Sequence, residues 1–210
     1  MSRQIILNDL TAYWNELRGH RLAPRRSDLN PSRFGAALEH MFILEVVEGG
    51  PLRIRLAGTR LCDIMGMEAR GMPARAIFAE GDQMRADNLF TEVVSHPACI
   101  DISLTASGEG GVEYAGGMIL RPLADDFGEI TRVLGCLVIE APRFETDLAL
   151  TLGSVRIDTL REAGTTPAIA GFAEGQATFD GPRLQSVQGG NRPVRQPLSR
   201  AHLRVVSSND

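Results

Sequence analysis

Residue types that commonly do chemistry are few in this sequence and lie far apart. All 22 basic residues are arginine, so mechanisms that need a lysine amine, such as Schiff-base formation, P-loop phosphate binding or serine–lysine hydrolysis, are excluded. No two of the four histidines or three cysteines have the spacing of a metal site. The acidic pairs at positions 125/126 and 109/113 fall in predicted hairpin turns, where carboxylates are normally solvated. The sequence therefore predicts neither a catalytic site nor a metal site.

Two side chains are the best candidates for holding a cofactor. His96 follows a predicted helix, from where a single histidine can ligate haem iron, but a histidine beside Pro97 is far more often an exposed or capping residue. Cys62 lies in RLCDIMG, which does not match the helical motif of a flavin photoreceptor's reactive cysteine, so we interpret it as a small buried side chain. We expect no cofactor, with an unknown small molecule as the open alternative.

The net charge of −4 is unevenly distributed along the 210 residues. From Gly181 onward there are five arginines and one acidic residue, whereas residues 1–180 are acidic overall. An acidic body argues against nucleic acid as a partner, and the basic tail is most simply a solvated end, with an acidic partner, RNA or a membrane as alternatives. Three scattered cysteines, no signal-peptide core and no apolar run of ~20 residues predict a cytoplasmic chain without a membrane span.

Hydrophobic spacing predicts the elements that must position any site. An apolar stripe at helical spacing predicts an amphipathic N-terminal helix that ends near Gly19. Its members are Ile6, Leu10, Tyr13, Trp14 and Leu17. The following turn-rich stretch offers Ser27, Asp28 or Asn30 as the cap of a second helix, which would begin at Pro31.

The pattern of the next hundred residues is mainly β-like. MFILEVV and LRIRLAG flank the turn EGGP and predict a hairpin with Leu52, Ile54 and Leu56 facing inward. Short helices are expected after Gly58, and a longer helix over about residues 80–95. Three further strands are expected in CIDISLTAS, VEYAGGMILRPL and TRVLGCLVIEA, joined by hairpin turns.

This order of elements divides the chain into three segments. Residues 1–36 are predicted to form an N-terminal helical extension, and residues 37–142 the folded core. Residues 143–210 are predicted to be a low-order extension, in which TDLALTLGSVRIDTLRE is compatible with a helix or a loosely packed segment. From Gly164 the chain is rich in Gly, Pro, Ser, Thr and Gln, and such a composition buries too little apolar surface to offset the entropy of ordering. We expect a largely disordered tail.

Two segments carry a resemblance to a known family. YWNELRGHRLAPRRSDLNPSRF, and further on RIRLAGTRLCDIMGMEARGM with Gly58, Thr59 and Gly66, resemble a bacterial family of short stand-alone PAS-domain proteins over about residues 10–142. The resemblance implies an α+β fold, in which helices cover one face of a five-stranded antiparallel sheet. It also implies a domain that senses ligands or binds partners.

A PAS-like interior offers one candidate ligand site. Apolar side chains of the short helices, the longer helix and the sheet would line a cavity there. These are Leu61, Met65, Phe78, Phe90, Val94, Ile102, Leu104, Tyr114 and Ile119. The alternative is that they close-pack as a solid core, which is the commoner arrangement.

The last predicted strand is apolar on both faces, and each face needs a cover. The short helices can bury only one, so the N-terminal helix is expected to cover the other, either in its own chain or in a second protomer. We predict a homodimer through this helix and the outer face of the sheet. The predicted contact residues are Tyr13, Trp14, Leu17, Leu134 and Val138.

The function predicted from these patterns is a non-enzymatic sensory and protein-interaction module of bacterial cytoplasmic signal transduction. It would act by contacting other signalling proteins, since no kinase, cyclase or DNA-binding segment is evident in the sequence. One alternative is a small-molecule receptor whose occupied cavity gates partner binding. The other is a small enzyme of unrecognised type.

Overall fold

The structure is a computed structural model that describes residues 2–142 and 146–161. Its helices are α1 (Arg3–Arg18), α2 (Thr59–Met65) and α3 (Gln83–Ser95). Its strands are β1 (Met41–Glu45), β2 (Arg53–Ala57), β3 (Ala98–Ser107), β4 (Glu113–Ala124), β5 (Ile130–Ile139) and β6 (Ala149–Thr159). Short 3₁₀ segments are Arg26–Asp28, Pro31–Arg33, Gly35–His40, Ala74–Ile77, Glu80–Asp82 and Glu109–Gly111.

All the strands pair antiparallel in one sheet of order β2-β1-β5-β4-β3-β6. The predicted α+β class with a PAS-like antiparallel sheet is confirmed, but the sheet described here has six strands rather than five. The additional strand, β6, comes from residues for which the sequence suggested a helix or a loose extension. Leu148, Leu150 and Leu152 alternate inward, and then a bulge at Gly153 shifts the pattern to Val155, which conceals the two-residue period.

The sheet buries side chains on both faces. On one face, covered by α2 and α3, Phe42, Leu120 and Leu137 belong to what we call the inner core. On the other face, covered by α1, Leu134 and Cys136 belong to the outer core. As the sequence predicted, β5 is apolar on both sides, because its odd-numbered and even-numbered residues enter different cores.

The predicted amphipathic N-terminal helix is α1, and it covers the sheet of its own chain. Its Trp14 is fully buried and donates from Nε1 to the backbone oxygen of Pro122 at 3.0 Å. The Tyr13 hydroxyl accepts from the backbone N–H of Asn30 at 2.8 Å. The helix ends where Gly19, with φ 55°, donates its N–H to Asn15. Both aromatic side chains therefore join apolar burial to a hydrogen bond.

The predicted second helix is two 3₁₀ segments, Pro31–Arg33 and Gly35–His40, instead of one α-helix. The Asn30 side chain accepts the backbone N–H of Ser32, and Pro31 occupies the first position, as predicted for a helix start. Gly35 then adopts φ 51°, which is incompatible with continuing the helix. The sequence thus predicts the residues that begin the helix, whereas the break at Gly35 depends on the backbone conformation of that glycine.

The β1–β2 hairpin is present, but its register differs from simple alternation. A shift between Ile43 and Leu44 places Leu56 opposite Ile43, whose side chain lies in the outer core. Ile54 still points inward, whereas Leu56 lies on the outer side and is 39% exposed. The prediction that Leu56 faces inward with Leu52 and Ile54 is therefore wrong, because the bulge reverses its side.

Gly58 precedes α2 and is packed directly against backbone. A Cβ at this position would lie 2.4 Å from the oxygen and 2.6 Å from the carbonyl carbon of Glu39. We expect Gly58→Ala to lower the free energy of unfolding by about 2 kcal/mol, because backbone cannot rotate away as a side chain can. Urea unfolding measures the change. Gly81→Ala is the control, since nothing lies within 4 Å of its Cβ position and a cost of only about 0.5 kcal/mol is expected. Equal costs for the two variants would contradict the prediction.

Residues 162–210, including the basic tail, lie outside the described part, so the predicted disorder of that segment stays a prediction. Within the described part, no helix is both long enough and apolar enough to cross a membrane.

Candidate functional site

The predicted interior site is a packed part of the inner core. Of its nine residues, eight belong to that core or pack against it, and the Phe78 and Phe90 rings lie 6.2 Å apart. The structure does not place Ile119 with them. Ile119 lies in the outer core because Met118 and Leu120, its neighbours in β4, point inward. Whether the other eight ever contact a ligand stays a prediction.

The predicted dimer-contact residues lie between α1 and the sheet of the same chain. Tyr13, Trp14, Leu134 and Val138 are buried in the outer core, and Leu17 packs partly buried at its margin. The sequence left two arrangements open, and the structure shows the one in which α1 covers the sheet of its own chain. A contact between these side chains and a second protomer would require α1 to leave its own sheet.

A polar groove lies beside α1 on the outer face of the sheet. Helix α1 packs on β4 and β5, and the groove follows one side of this helix above β3, β4 and β6. We call it the outer groove; its volume is about 510 Å³. Its polar lining consists of Arg3, Gln4, Asn8, Thr11, Asp101, Ser103, Arg121, Ser154 and Arg156.

Arg121 is the most deeply buried charged residue of this groove, with 3% of its surface exposed. Its Nη2 donates to Asp101 Oδ1 at 2.7 Å and to Thr11 Oγ1 at 3.0 Å. Its Nη1 donates to the backbone oxygens of Ile100 and Leu120 at 3.1 and 3.0 Å. Among the described residues, the Nε of Arg121 has no hydrogen-bond partner.

Asp101 joins Arg121 to a second arginine. Its other carboxylate oxygen, Oδ2, accepts from Arg156 Nη2 at 2.8 Å, and Arg156 Nε lies 3.3 Å from Asp158 Oδ2. Burial decreases along this series, since the side chains of Arg121, Asp101 and Arg156 are 4%, 34% and 70% exposed. The groove therefore holds a chain of charged groups that leads from the sheet to solvent.

Small residues let the floor of the groove approach its neighbours closely. A Cβ on Gly117 would lie 3.0 Å from Leu7 Cδ1 and 3.3 Å from Arg3 Cδ. A Cβ on Gly153 would lie 2.4 Å from Ser103 Oγ, the oxygen that accepts the Ser154 N–H at 2.7 Å. These glycines allow α1 and the β6 bulge to come close to the floor of the sheet.

The sequence contains a signal for this site that the search for catalytic and metal-site motifs missed. In the strand segment MILRPLA, Arg121 interrupts apolar residues, and Asp101 does the same in CIDISL. A charged residue inside a buried strand pattern needs a partner of opposite charge. Pairing the two would have required the β3–β4 register, which places Asp101 opposite Ile119, two positions before Arg121.

A family model described as PAS domain matches residues 3–138. The chain belongs to the PAS domain family. PAS domains are generally sensory modules rather than catalysts. No functionally curated protein matches this sequence.

Solved structures similar to this PAS domain include two LOV structures, one of them from a blue-light photoreceptor, and a DNA-binding receptor. The light state of the Aureochrome1 LOV domain is 14% identical, with 51% of this chain and 86% of that chain covered at a TM-score of 0.39. The Rhodobacter sphaeroides LOV protein is 10% identical, with 67% and 69% covered at a TM-score of 0.40. The Vibrio cholerae VqmA dimer, described among LuxR-type receptors, is 12% identical, with 52% and 51% covered at a TM-score of 0.41.

The other residues singled out by chemistry lie at separate places in this PAS domain. The His96 side chain is 72% exposed and lies 3.3 Å from Glu92 Oε2. Asp125 Oδ1 accepts the backbone N–H groups of Phe127 and Glu129, so it stabilises the β4–β5 turn. No group of three or more His, Cys, Asp or Glu residues that could hold a metal ion occurs in the described ranges.

Burial makes two of the three thiols of this PAS domain poor nucleophiles. It raises the pKa of Cys136, in the outer core, to about 12. It also raises the pKa of Cys99, where desolvation outweighs the opposing charge of Arg121. Because only the thiolate reacts, we expect Cys136 to resist Ellman's reagent at pH 8 in the folded protein and to react fully in urea.

Peptide mass spectrometry after alkylation identifies which thiol has reacted. Rapid modification of Cys136 in the folded protein would contradict the prediction, because the thiol would then be accessible and ionised. Cys62 belongs to α2 and is only partly buried, so it serves as the internal control for reagent quality.

Proposed function

We propose that this PAS domain is a non-enzymatic sensory and protein-interaction module of bacterial cytoplasmic signal transduction, which acts through contacts with other signalling proteins. The observation that carries the proposal is an apolar groove beside the edge strand β2. Leu38 and Leu56 line this groove, and 48% and 39% of their surfaces are exposed. We call it the β2-edge groove; its volume is about 470 Å³.

Exposed leucines next to a sheet edge offer a partner two kinds of contact. The first is apolar area, and the second is backbone hydrogen bonding along the strand. Residues 71–74 already bond to the backbone of Leu52 and Ile54, at 2.7–2.9 Å. The half of β2 that carries Leu56 is therefore the part left for a partner.

The packing of the inner core favours partner contacts over the alternative of a receptor with a ligand in the interior. Eight of the predicted cavity residues pack in or against this core, so a ligand would have to displace them. Denaturing extraction of the purified protein followed by mass spectrometry separates the two functions. A stoichiometric small molecule would favour the receptor.

The partner-contact function is tested by removing the apolar surface of the β2-edge groove. In quantitative cross-linking mass spectrometry from the native cell, we expect Leu38→Ser with Leu56→Ser to reduce partner recovery about tenfold or more. Met84→Ser is the matched control, because Met84 is 77% exposed and lies on α3. Retention of the same partners by the double variant would contradict the proposal.

The predicted homodimer is part of the proposal, but we move its contact surface from α1 to the β2-edge groove. Since the α1 side chains are buried within the chain, we propose that a second protomer would also use the β2-edge groove. Equilibrium sedimentation at ~50 μM should then show a dimer, which is lost in the Leu38→Ser, Leu56→Ser variant. A monomer at that concentration would contradict the homodimer.

A further inference from the structure

The lining of the outer groove itself holds more guanidinium groups than carboxylates. Among its described lining residues are the guanidinium groups of Arg3, Arg121 and Arg156, against the single carboxylate of Asp101. Glu140 lies 3.8 Å from Arg3 Nε, and Asp158 contacts the outward end of Arg156. Counted together, these three carboxylates balance the three guanidinium groups, so the case for an anion rests on the guanidinium donors inside the groove and not on net charge.

Arg121 is unusual for a residue whose role is only structural. Its guanidinium is nearly inaccessible to solvent, and its Nε donor is unpartnered among the described residues. A buried ion pair generally contributes no more to stability than apolar side chains of similar volume would. A buried guanidinium with an unused donor beside a groove is therefore better explained by recognition of an acceptor than by packing.

The geometry of the groove restricts the kind of anion it accepts. Asp101 contacts both Arg121 and Arg156, so it holds the two guanidinium groups together at one place. Because both Nη groups of Arg121 already donate within the chain, Arg121 offers an anion its Nε–H alone, and exposed Arg156 supplies the further guanidinium donors for a carboxylate or phosphate oxygen. Leu7 and Ile119, which belong to the outer core, add apolar lining for a short hydrocarbon part. A volume of about 510 Å³ is within the range of small-molecule sites.

We infer that the outer groove binds a small organic anion through a carboxylate or phosphate group, which Arg121 and Arg156 recognise. This site lies on the opposite face of the sheet from the predicted interior cavity. It is also separate from the β2-edge groove, because β2 and β6 are the two opposite edges of the sheet. Anion binding is thus independent of partner contacts, and either can fail without the other.

The experiment is an NMR titration of the full chain, with citrate and inorganic phosphate as separate probes at constant ionic strength. We expect saturable shifts of amides in α1, β3, β4 and β6 around the outer groove, for one probe or both. Arg156→Gln should weaken binding about tenfold, because it removes a charge-assisted hydrogen bond without disturbing a buried residue. A response to citrate alone would assign carboxylates, and a response to phosphate alone would assign phosphates.

The control is Arg55→Gln, which should leave the affinity unchanged. Arg55 also belongs to a strand and its side chain is 65% exposed, but it lies on β2 at the opposite edge of the sheet. Arg121→Met should abolish binding while the amide spectrum stays folded. The inference is overturned if neither probe binds saturably up to about 20 mM, or if Arg156→Gln and Arg55→Gln behave alike.

Discussion

Trp14→Ala is expected to lower the free energy of unfolding by about 4 kcal/mol, as is typical for truncation of a fully buried large aromatic residue. Trp14 is completely buried in the outer core, and its Nε1 donates to the Pro122 oxygen at 3.0 Å. Truncation would therefore leave a cavity between α1 and the sheet and would also leave a buried carbonyl without its donor. Circular dichroism during urea unfolding measures the effect, since the variant lacks the only tryptophan.

Two companion variants show whether the loss comes from packing within one chain. Trp14→Phe should recover roughly half of the lost stability, because it restores most of the apolar volume but not the hydrogen bond. Ile5→Ala, on the same helix but 47% exposed, should cost about 0.5 kcal/mol or less. If Trp14→Ala kept its stability and changed only the oligomeric state, α1 would be packing on another protomer.

Asp101→Ala is expected to destabilise the fold by about 3 kcal/mol, because it leaves the guanidinium of Arg121 buried without its counter-ion. Asp101 accepts from Arg121 at 2.7 Å, and Arg121 is 3% exposed. Asp158→Ala is the matched control. Its side chain is 59% exposed and contacts only the solvent end of Arg156, so we expect about 0.5 kcal/mol or less. Similar losses in the two variants would contradict this account.

Variants of Arg121 and Asp101 show what the buried charge of Arg121 contributes to stability. Arg121→Met should be close to neutral, since apolar residues of similar volume commonly replace buried ion pairs without loss. Combining it with Asp101→Ala should recover most of the stability lost in Asp101→Ala alone. A double variant as unstable as Asp101→Ala would mean that Asp101 stabilises the fold independently of Arg121. A stable Arg121→Met variant that no longer binds citrate or phosphate would separate recognition from folding.

Local patterns predicted those elements whose residues bury one continuous face. The stripe from Ile6 to Leu17 defines α1 because helical spacing alone brings its apolar residues together. The strands of the core follow from alternation for the same reason. At Ile43/Leu44 and at Gly153, bulges break the period, and there the sequence misplaced Leu56 and did not predict β6. Neither bulge is visible without the partner strand.

The sequence by itself determined the α+β class, the amphipathic N-terminal helix, the two apolar faces of β5 and the exclusion of lysine chemistry. All of these follow from residue type and from spacings shorter than one element. Only the tertiary structure decided that α1 covers its own sheet, that Ile119 lies apart from the inner core, and that Asp101, Arg121 and Arg156 form one charged chain. These three residues come from three strands, so strand register, which long-range packing sets, had to bring them together.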